Sequence, residues 1–330
     1  MHTCSNSLQR TLSAFNRSTR RWVSIPSQHA QSQVTQPSSP PASNTGPLCA
    51  PQRLSLVSWN MDAFPSRPIA RAGHILGHIL AEPPSPDIVF LQEVTRGARA
   101  ALLSDARIRS TFLVTDAQDE ASFQAVPFAT MTLLSRARFA WNKDSHEEGD
   151  DGIGGAEKNL RLGNVSRMAL PSKYRRDALC VDILAPSEPN TVLRLINVHL
   201  DSLWDALPYR VQQLEILANV LREPGCGGGI VAGDFNAIRR EDDGLVEQNG
   251  LVDAWVALHG SASRGGATWG VRAERRDELR PGRLDKVAMM GLTAEEMEVI
   301  RPGLIEVPRP GEAPLEIPWS DHGLRCNFVV

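Results

Sequence analysis

Five apolar stretches of this chain finish on, or open from, a polar residue capable of chemistry, and that repetition limits the fold more than any other feature. "LVSWN" ends on Asn60, "IVFLQE" on Glu93, "LINVH" on His199 and "IVAGDFN" on Asp234 and Asn236, while "WSDHGLRC" places Asp321 and His322 just ahead of the last apolar run. A carboxylate or imidazole beside a core is costly unless it is paired or binds a cation. The repetition therefore points to one shared site. Side chains two apart on an extended segment face the same side, so Asp234 and Asn236 address one small volume while Phe235 packs the opposite way. The donors are carboxylate, amide and imidazole without thiolate, a set that suits Mg²⁺ or Mn²⁺ better than zinc. Such a cation commonly works on phosphate. Taken singly, Asn60 and Asn236 read as turn or cap residues, His199 as a hydrogen-bonded core histidine and "SDH" as a loop. Glu93 at the end of "IVFLQ" is harder to dismiss, because an unpaired acid there is expensive.

The apolar runs themselves predict strands at "LSLVSW", "DIVFLQ", "ATMTLLS", "DALCVDIL", "VLRLINVHL", "GGIVAGDF", "LDKVAMM" and "LRCNFVV", all rich in Val, Ile and Leu. Helices are predicted at "PYRVQQLEILANVLRE", with proline in its first turn and Val211, Leu214, Leu217 and Leu221 at helical spacing, and at "IARAGHILGHILAE". From Leu54 onward this alternation predicts an α/β domain, residues 53–330, of two sheets packed face to face with helices outside. No stretch approaches the roughly 18 uninterrupted apolar residues of a membrane-spanning helix, so stable membrane insertion is not expected. The five cysteines lie far apart without C-x-x-C spacing and read as reduced thiols.

Charge is unevenly spread. Residues 1–52 hold Arg10, Arg17, Arg20 and Arg21 and no acid, so the net charge of −3 leaves about −7 for the remainder. A protein that gripped duplex DNA by electrostatics would carry a basic surplus, so any nucleic-acid contact is expected to be local, at a strand end or aided by a divalent cation. Residues 23–52 are rich in Ser, Gln, Pro and Thr and are expected to be disordered. Before them, Leu8, Leu12, Phe15 and Trp22 fall near one helical face. The whole of residues 1–52 is read as a disordered tail with the composition of a mitochondrial transit peptide, the alternative being a nuclear or cytoplasmic protein with an unaddressed tail. The segment "HEEGDDGIGGAEKN", residues 146–159, predicts a mobile acidic surface loop.

The ordered series "SWNMD", "PDIVFLQEV", "NVHLDS", "AGDFNAI", "GRLDKV" and "SDHGL" resembles the endonuclease/exonuclease/phosphatase superfamily. The likeness covers Leu54 to Val330. It implies a four-layer α/β sandwich, two mainly antiparallel sheets flanked by helices, with a divalent metal at the top of the sheets. "WNMD", "HLDS" and "SDHGL" are most similar to the motifs of 5′-tyrosyl-DNA phosphodiesterases, although "GDFN" stands where those enzymes have G-D-T-N and their tryptophan after S-D-H is missing.

By this resemblance Glu93 is the principal Mg²⁺ (or Mn²⁺) ligand, with Asn60 completing or steering the shell and Asp321 as a water-mediated metal contact or orienting group. Asp234 orients and deprotonates the attacking water and Asn236 holds that water or a phosphate oxygen. His322 stabilises negative charge on the phosphate, Asp285 holds its ring, and His199 binds a second phosphate oxygen. Trp269 in "GATWG" either stacks on a base or closes a core edge. Arg210 and Gln213 brace the helix that carries them. The expected activity is Mg²⁺-dependent phosphodiester hydrolysis by a monomer at DNA 5′ ends, with tyrosyl adducts as substrate. RNA, a phospholipid or a small phosphate ester is the alternative substrate, and a catalytically silent scaffold the alternative function.

Overall fold

The structure is a computed structural model and describes residues 7–25, 51–81, 83–140, 160–185, 191–263, 265–271, 281–320 and 322–330. The acidic loop expected over residues 146–159, residues 26–50 of the tail, and Asp321 lie outside the described residues.

All eight strands read from the sequence form, as Arg53–Asn60, Ile88–Val94, Ala129–Ser135, Asp177–Leu184, Val192–His199, Cys226–Asp234, Asp285–Met290 and Leu324–Val329. They belong to two eight-stranded sheets. In the first, the order is Ser7–Arg10, Leu160–Ala169, Asp177–Leu184, Val192–His199, Cys226–Asp234, Asp285–Met290 and Val252–Asp253, with Phe139–Ala140 added against Leu160–Ala169. In the second it is Thr293–Val299, Leu324–Val329, Arg53–Asn60, Ile88–Val94, Ala129–Ser135, Phe112–Thr115, Leu12–Asn16 and Arg21–Ser24.

Along each central strand the side chains alternate between two cores, as the period of two requires. Leu54, Leu56, Ile88, Phe90, Leu195, Ile230 and Val287 fill the space between the sheets. Their neighbours Val57, Trp59, Val89 and Leu91 face outward beneath Ala72, Ile75, Leu76 and Ile79 of the helix Pro68–Ile79 and Leu102 of the helix Arg96–Ser104. On the other side Ile196, Val198 and Val231 meet Leu214, Leu217 and Leu221 of the helix Leu207–Leu221. Helix, sheet, sheet and helix are thus the four layers expected from the resemblance.

Topology places the site. Each sheet has one central parallel pair, Val192–His199 with Cys226–Asp234 and Arg53–Asn60 with Ile88–Val94. Both members of such a pair end together, and the antiparallel neighbours Asp285–Met290 and Leu324–Val329 begin where they end. In register, His199 lies beside Asp234, Asp234 beside Asp285, and Asn60 beside Gln92. Residues 32 to 51 positions apart in sequence are thereby brought side by side at one rim by backbone pairing alone.

The N-terminal segment departs from its expected disorder and from its helical spacing. Ser7–Arg10 pairs antiparallel with Leu160–Ala169 at an edge of the first sheet, and Leu12–Asn16 pairs with Phe112–Thr115 at an edge of the second. Leu12 is 3% exposed within the inter-sheet core. The reason is non-local: an edge strand offers a row of unpaired N–H and C=O groups, and a segment that satisfies them while burying a leucine gains more than an isolated helix would.

Candidate active site

Glu93 sits on a bulge. The pairing of Ile88–Val94 with Ala129–Ser135 slips between Leu91 and Val94, and Glu93 adopts φ 54°, a left-handed conformation unusual for a non-glycine residue. The bulge turns its carboxylate away from the sheet core toward the rim. There Oε2 accepts from the Ala63 N–H at 2.7 Å and Oε1 from Asn60 Nδ2 at 3.3 Å. Asn60 Nδ2 also donates to Asp234 Oδ2 at 2.9 Å, and its Oδ1 accepts from the Asp62 N–H at 2.8 Å. Asn60 therefore clamps the two acids together with its amide nitrogen.

Asp234 is 2% exposed at the end of its strand. Gly233 before it has φ 137°, and a Cβ there would stand 2.0 Å from the Val198 carbonyl oxygen, so only glycine lets this strand lie against its parallel partner. The chain then turns rather than continuing extended: Asn236 has φ 50°, its N–H donates to Asp234 Oδ1 at 2.8 Å, and its Nδ2 donates to the Leu200 carbonyl at 2.9 Å. Asp234 and Asn236 are neighbours through an Asx-type turn, not through the two-residue period of a strand. Phe235 packs into the outer core of the first sheet, on the side expected.

His199 is 4% exposed, with Nε2 3.5 Å from Asp234 Oδ2 and 3.8 Å from Glu93 Oε1. Burial, then the neighbouring Arg176 and His322 charges, hold its pKa well below the ordinary imidazole value. Arg176 Nη2 donates to the same nitrogen at 3.3 Å, which fits a neutral ring. Phe128 stacks on that ring at 5.6 Å, and Phe128, Tyr174, Arg176 and His199 line one cleft. His322 Nδ1 pairs with Asp285 Oδ2 at 2.8 Å, and Asp285 is fully buried with Oδ1 lacking a hydrogen-bond partner. Ligating atoms of Asp234, Asp285 and His322 lie within 4.8 Å of one another. Burial pushes the Asp234 carboxyl up to about 7, with Asp285 adding to the rise while His322 and the donors on Asn236 and Asn60 oppose it.

Three carboxylates, Glu93, Asp234 and Asp285, thus meet at one rim. The Asp285 oxygen left without a partner and the Asp234 carboxyl raised by burial mark acceptors that the protein's own donors do not satisfy. An oxygen-rich donor set of this kind fits a hard divalent cation.

Of the other residues singled out from the sequence, Trp269 is half-buried and pairs with Gly282, next to Thr268, whose hydroxyl accepts from the Asp285 N–H at 3.1 Å. Arg210 and Gln213 do brace. Gln213 Nε2 donates to Asp201 Oδ1 at 3.0 Å and Arg210 Nη1 to the Asp201 carbonyl at 3.0 Å, fixing the loop that follows His199. Asp321 lies outside the described residues.

The sequence reading passed over a polar layer directly beneath the rim. Gln92 Nε2 donates to Asn197 Oδ1 across the two sheets at 2.9 Å, and Asn197 Nδ2 donates to the Met131 carbonyl at 2.8 Å, all of it buried. Its signal was present as Asn197 two residues before His199. Ser320 donates to the Asn60 carbonyl and accepts from the His322 N–H at 3.2 Å. Arg71, buried in the helix Pro68–Ile79, donates to the carbonyls of Met61 at 3.0 Å and Trp319 at 2.6 Å, tying together the loops that flank Asn60 and His322.

The model of the Endonuclease/Exonuclease/phosphatase family matches residues 57–322. Among curated proteins no sequence is similar enough to match. Solved structures are similar in fold. D. rerio TDP2 complexed with single strand DNA product is 22% identical over 84% of this chain and 98% of that chain, with a TM-score of 0.58. TDP2 from C. elegans is 20% identical over 84% and 75%, with a TM-score of 0.55. The human Nocturnin catalytic domain with bound sulfate anion is 18% identical over 87% and 99%, with a TM-score of 0.53. At such identities the likeness establishes the fold. With a family match over residues 57–322, and the family's two-sheet architecture beneath it, this chain is a member of the endonuclease/exonuclease/phosphatase family of phosphoester hydrolases.

Proposed function

We propose that the protein is a Mg²⁺-dependent phosphodiesterase that releases tyrosyl adducts from DNA 5′ ends. The observation that carries the chemistry is the convergence of Glu93, Asp234, Asn60, His199 and the Asp285–His322 pair on one rim. The substrate is supported by "WNMD", "HLDS" and "SDHGL", and by the fold shared with a TDP2 complexed with single strand DNA product.

Glu93 would hold the cation, with Asn60 steering its carboxylate and Asp321 assigned from the sequence as an outer contact. When bound, the cation supplies a counter-charge for the phosphate and the leaving oxygen. Asp234 takes the proton of a water that attacks phosphorus, a task suited to a carboxyl held near neutrality. Asn236, fixed by its turn, positions that water or a phosphate oxygen. Asp285 orients His322 and favours its protonated form, placing positive charge beside the phosphoryl group as negative charge builds. His199, neutral, would donate to a second phosphate oxygen in the tautomer that carries the proton on Nε2, exchanging the bond that nitrogen accepts from Arg176. The P–O bond to the tyrosyl oxygen breaks, leaving a 5′-phosphate and tyrosine.

Incubating the protein with Mg²⁺ and a 5′-phosphotyrosyl oligonucleotide, an abasic duplex and a simple phosphodiester dye separates the readings. Release of tyrosine with the abasic duplex intact is expected. Cleavage of the dye alone would move the substrate to a small phosphate ester, and inertness on all three would favour a silent scaffold. A mitochondrial address is proposed on the composition of residues 1–52, and a fluorescent fusion of those residues that stays diffuse in the cytosol would overturn it.

A further inference from the structure

Five residues past His199 and three past Asn236 the chain exposes a feature the chemistry above does not use. Leu203 and Trp204 are 60% and 57% exposed, whereas Trp59 is fully buried and Trp255 is 7% exposed. The Arg239 guanidinium lies over the Trp204 ring at 4.9 Å, and Arg239 Nε has no hydrogen-bond partner. Leu203 has φ 75° and ψ 160°, a region populated almost solely by glycine.

This strained and exposed arrangement is held from below by one buried ion pair. Arg210 Nε and Nη2 bond Asp242 Oδ1 and Oδ2 at 2.7 and 2.8 Å, with both side chains 1% exposed. Arg210 Nη1 donates to the Leu203 carbonyl at 2.9 Å, and Asp242 Oδ2 accepts from the Arg239 N–H at 2.8 Å. The same pair therefore sets the positions of both loops, one carrying Trp204 and the other Arg239. Ser202, just before Leu203, accepts from Arg176 Nη2 at 3.1 Å, and that guanidinium also reaches His199. The ledge is continuous with the active-site rim.

We propose that Leu203, Trp204 and Arg239 form a stacking ledge for single-stranded nucleic acid, with a base on the Trp204 face and the adjoining phosphate on Arg239. The proposal rests on the phosphodiesterase reading and extends it beyond the scissile bond. Two apolar side chains are too small for a protein interface but match one base, and a guanidinium beside an aromatic face matches the alternation of phosphate and base. The carboxylate now on Arg239 is Glu241 Oε1 at 3.0 Å, from an exposed side chain, and an exposed pair of this kind is readily exchanged for phosphate.

Anisotropy of a fluorescein-labelled oligothymidylate, measured in chelator to prevent turnover, tests the ledge directly. Trp204→Ala is expected to weaken binding about 10-fold, the worth of one stacked base, with Trp204→Phe recovering most of it. Arg239→Gln is expected to weaken binding and flatten its salt dependence. In turnover, Trp204→Ala raises KM for a 5′-phosphotyrosyl oligonucleotide while kcat, and KM for the phosphodiester dye, hold. Wild-type affinity in Trp204→Ala, no recovery in Trp204→Phe, or an equal KM rise on the dye would overturn the proposal. So would a wild-type protein that cleaves the dye yet binds no oligonucleotide. Oligonucleotide that binds through Trp204 but is never cleaved would sink the DNA phosphodiesterase reading and leave the ledge standing.

Discussion

Two buried clusters of charge in this molecule are built from the same residue types and differ in whether every charged atom finds a partner. In the first, Arg167 is 3% exposed and bonds Asp116 Oδ2 at 2.8 Å, Asp177 Oδ1 at 2.9 Å and Thr130 Oγ1 at 3.0 Å. Burial opposes its charge, yet Asp177 and Asp116 hold its pKa above the ordinary value. In the second, Glu93, Asp234 and Asp285 converge, His199 is held neutral, and an Asp285 oxygen goes unpaired. A cluster whose charged atoms are all partnered holds a fold together, whereas buried acids left short of partners invite a cation or a proton. Arg176, half-buried, shows the tension: burial lowers its pKa while Asp234, Glu93 and Asp201 raise it.

The sharpest break of this comparison is Asp234→Asn. Loss of the proposed general base is expected to lower kcat about 10²–10⁴-fold, while the melting temperature of the metal-free protein at pH 8 rises, because a buried carboxylate under strain has been neutralised. A fall in both would mean that Asp234 is structural. Arg167→Ala should do the reverse in kind, removing the one cation between two acids at a cost of about 3–5 kcal/mol in urea denaturation. Activity per folded molecule is expected to survive it.

Mg²⁺ should then discriminate between the clusters. At about 100 times its dissociation constant a cation bound only by the folded state adds about 2.7 kcal/mol of stability. That gain is expected in wild type and in Arg167→Ala and should vanish in Glu93→Gln, so an equal gain in all three would place the cation elsewhere. The smallest effect is on pH. The folded Asp234 carboxyl, near 7, lies above its ordinary value of 3.8, so between these values the folded state holds a proton that the unfolded state does not. Its contribution therefore weakens as pH rises through 7. Between pH 6 and 8 the metal-free wild type should lose about 1 kcal/mol relative to Asp234→Asn. His199, with its lowered pKa, works in the opposite direction and cancels in that difference. A flat difference would show that Asp234 does not titrate there.

Particular residues show how far the linear chain could be read. The central strands were legible because each is a run of Val, Ile and Leu long enough to be buried on both faces. Thr293–Val299 was not, since an edge strand reading "TAEEMEV" keeps its acids in water and hides its period. The strands Ser7–Arg10 and Leu12–Asn16 were hidden for another reason: they are strands only because two distant sheet edges stand open to receive them. Among the site residues, Glu93 and Asp234 were visible as acids ending apolar runs. Gln92, Ser320 and Arg71 were not, because each acts through a partner that only folding supplies.

By itself the sequence determined which strands are central, which faces are apolar, and which acids, amides and imidazoles end on a rim, because burial and period are properties of a local stretch. Tertiary structure alone decided that Asp234 and Asn236 meet through a turn, that Asn60 bridges two acids by its nitrogen, and that the charged atoms around Arg167 are all partnered while an Asp285 oxygen is not. The physical reason is that charge balance and hydrogen-bond satisfaction depend on distances between residues far apart in the chain, and those distances exist only once the sheets are paired.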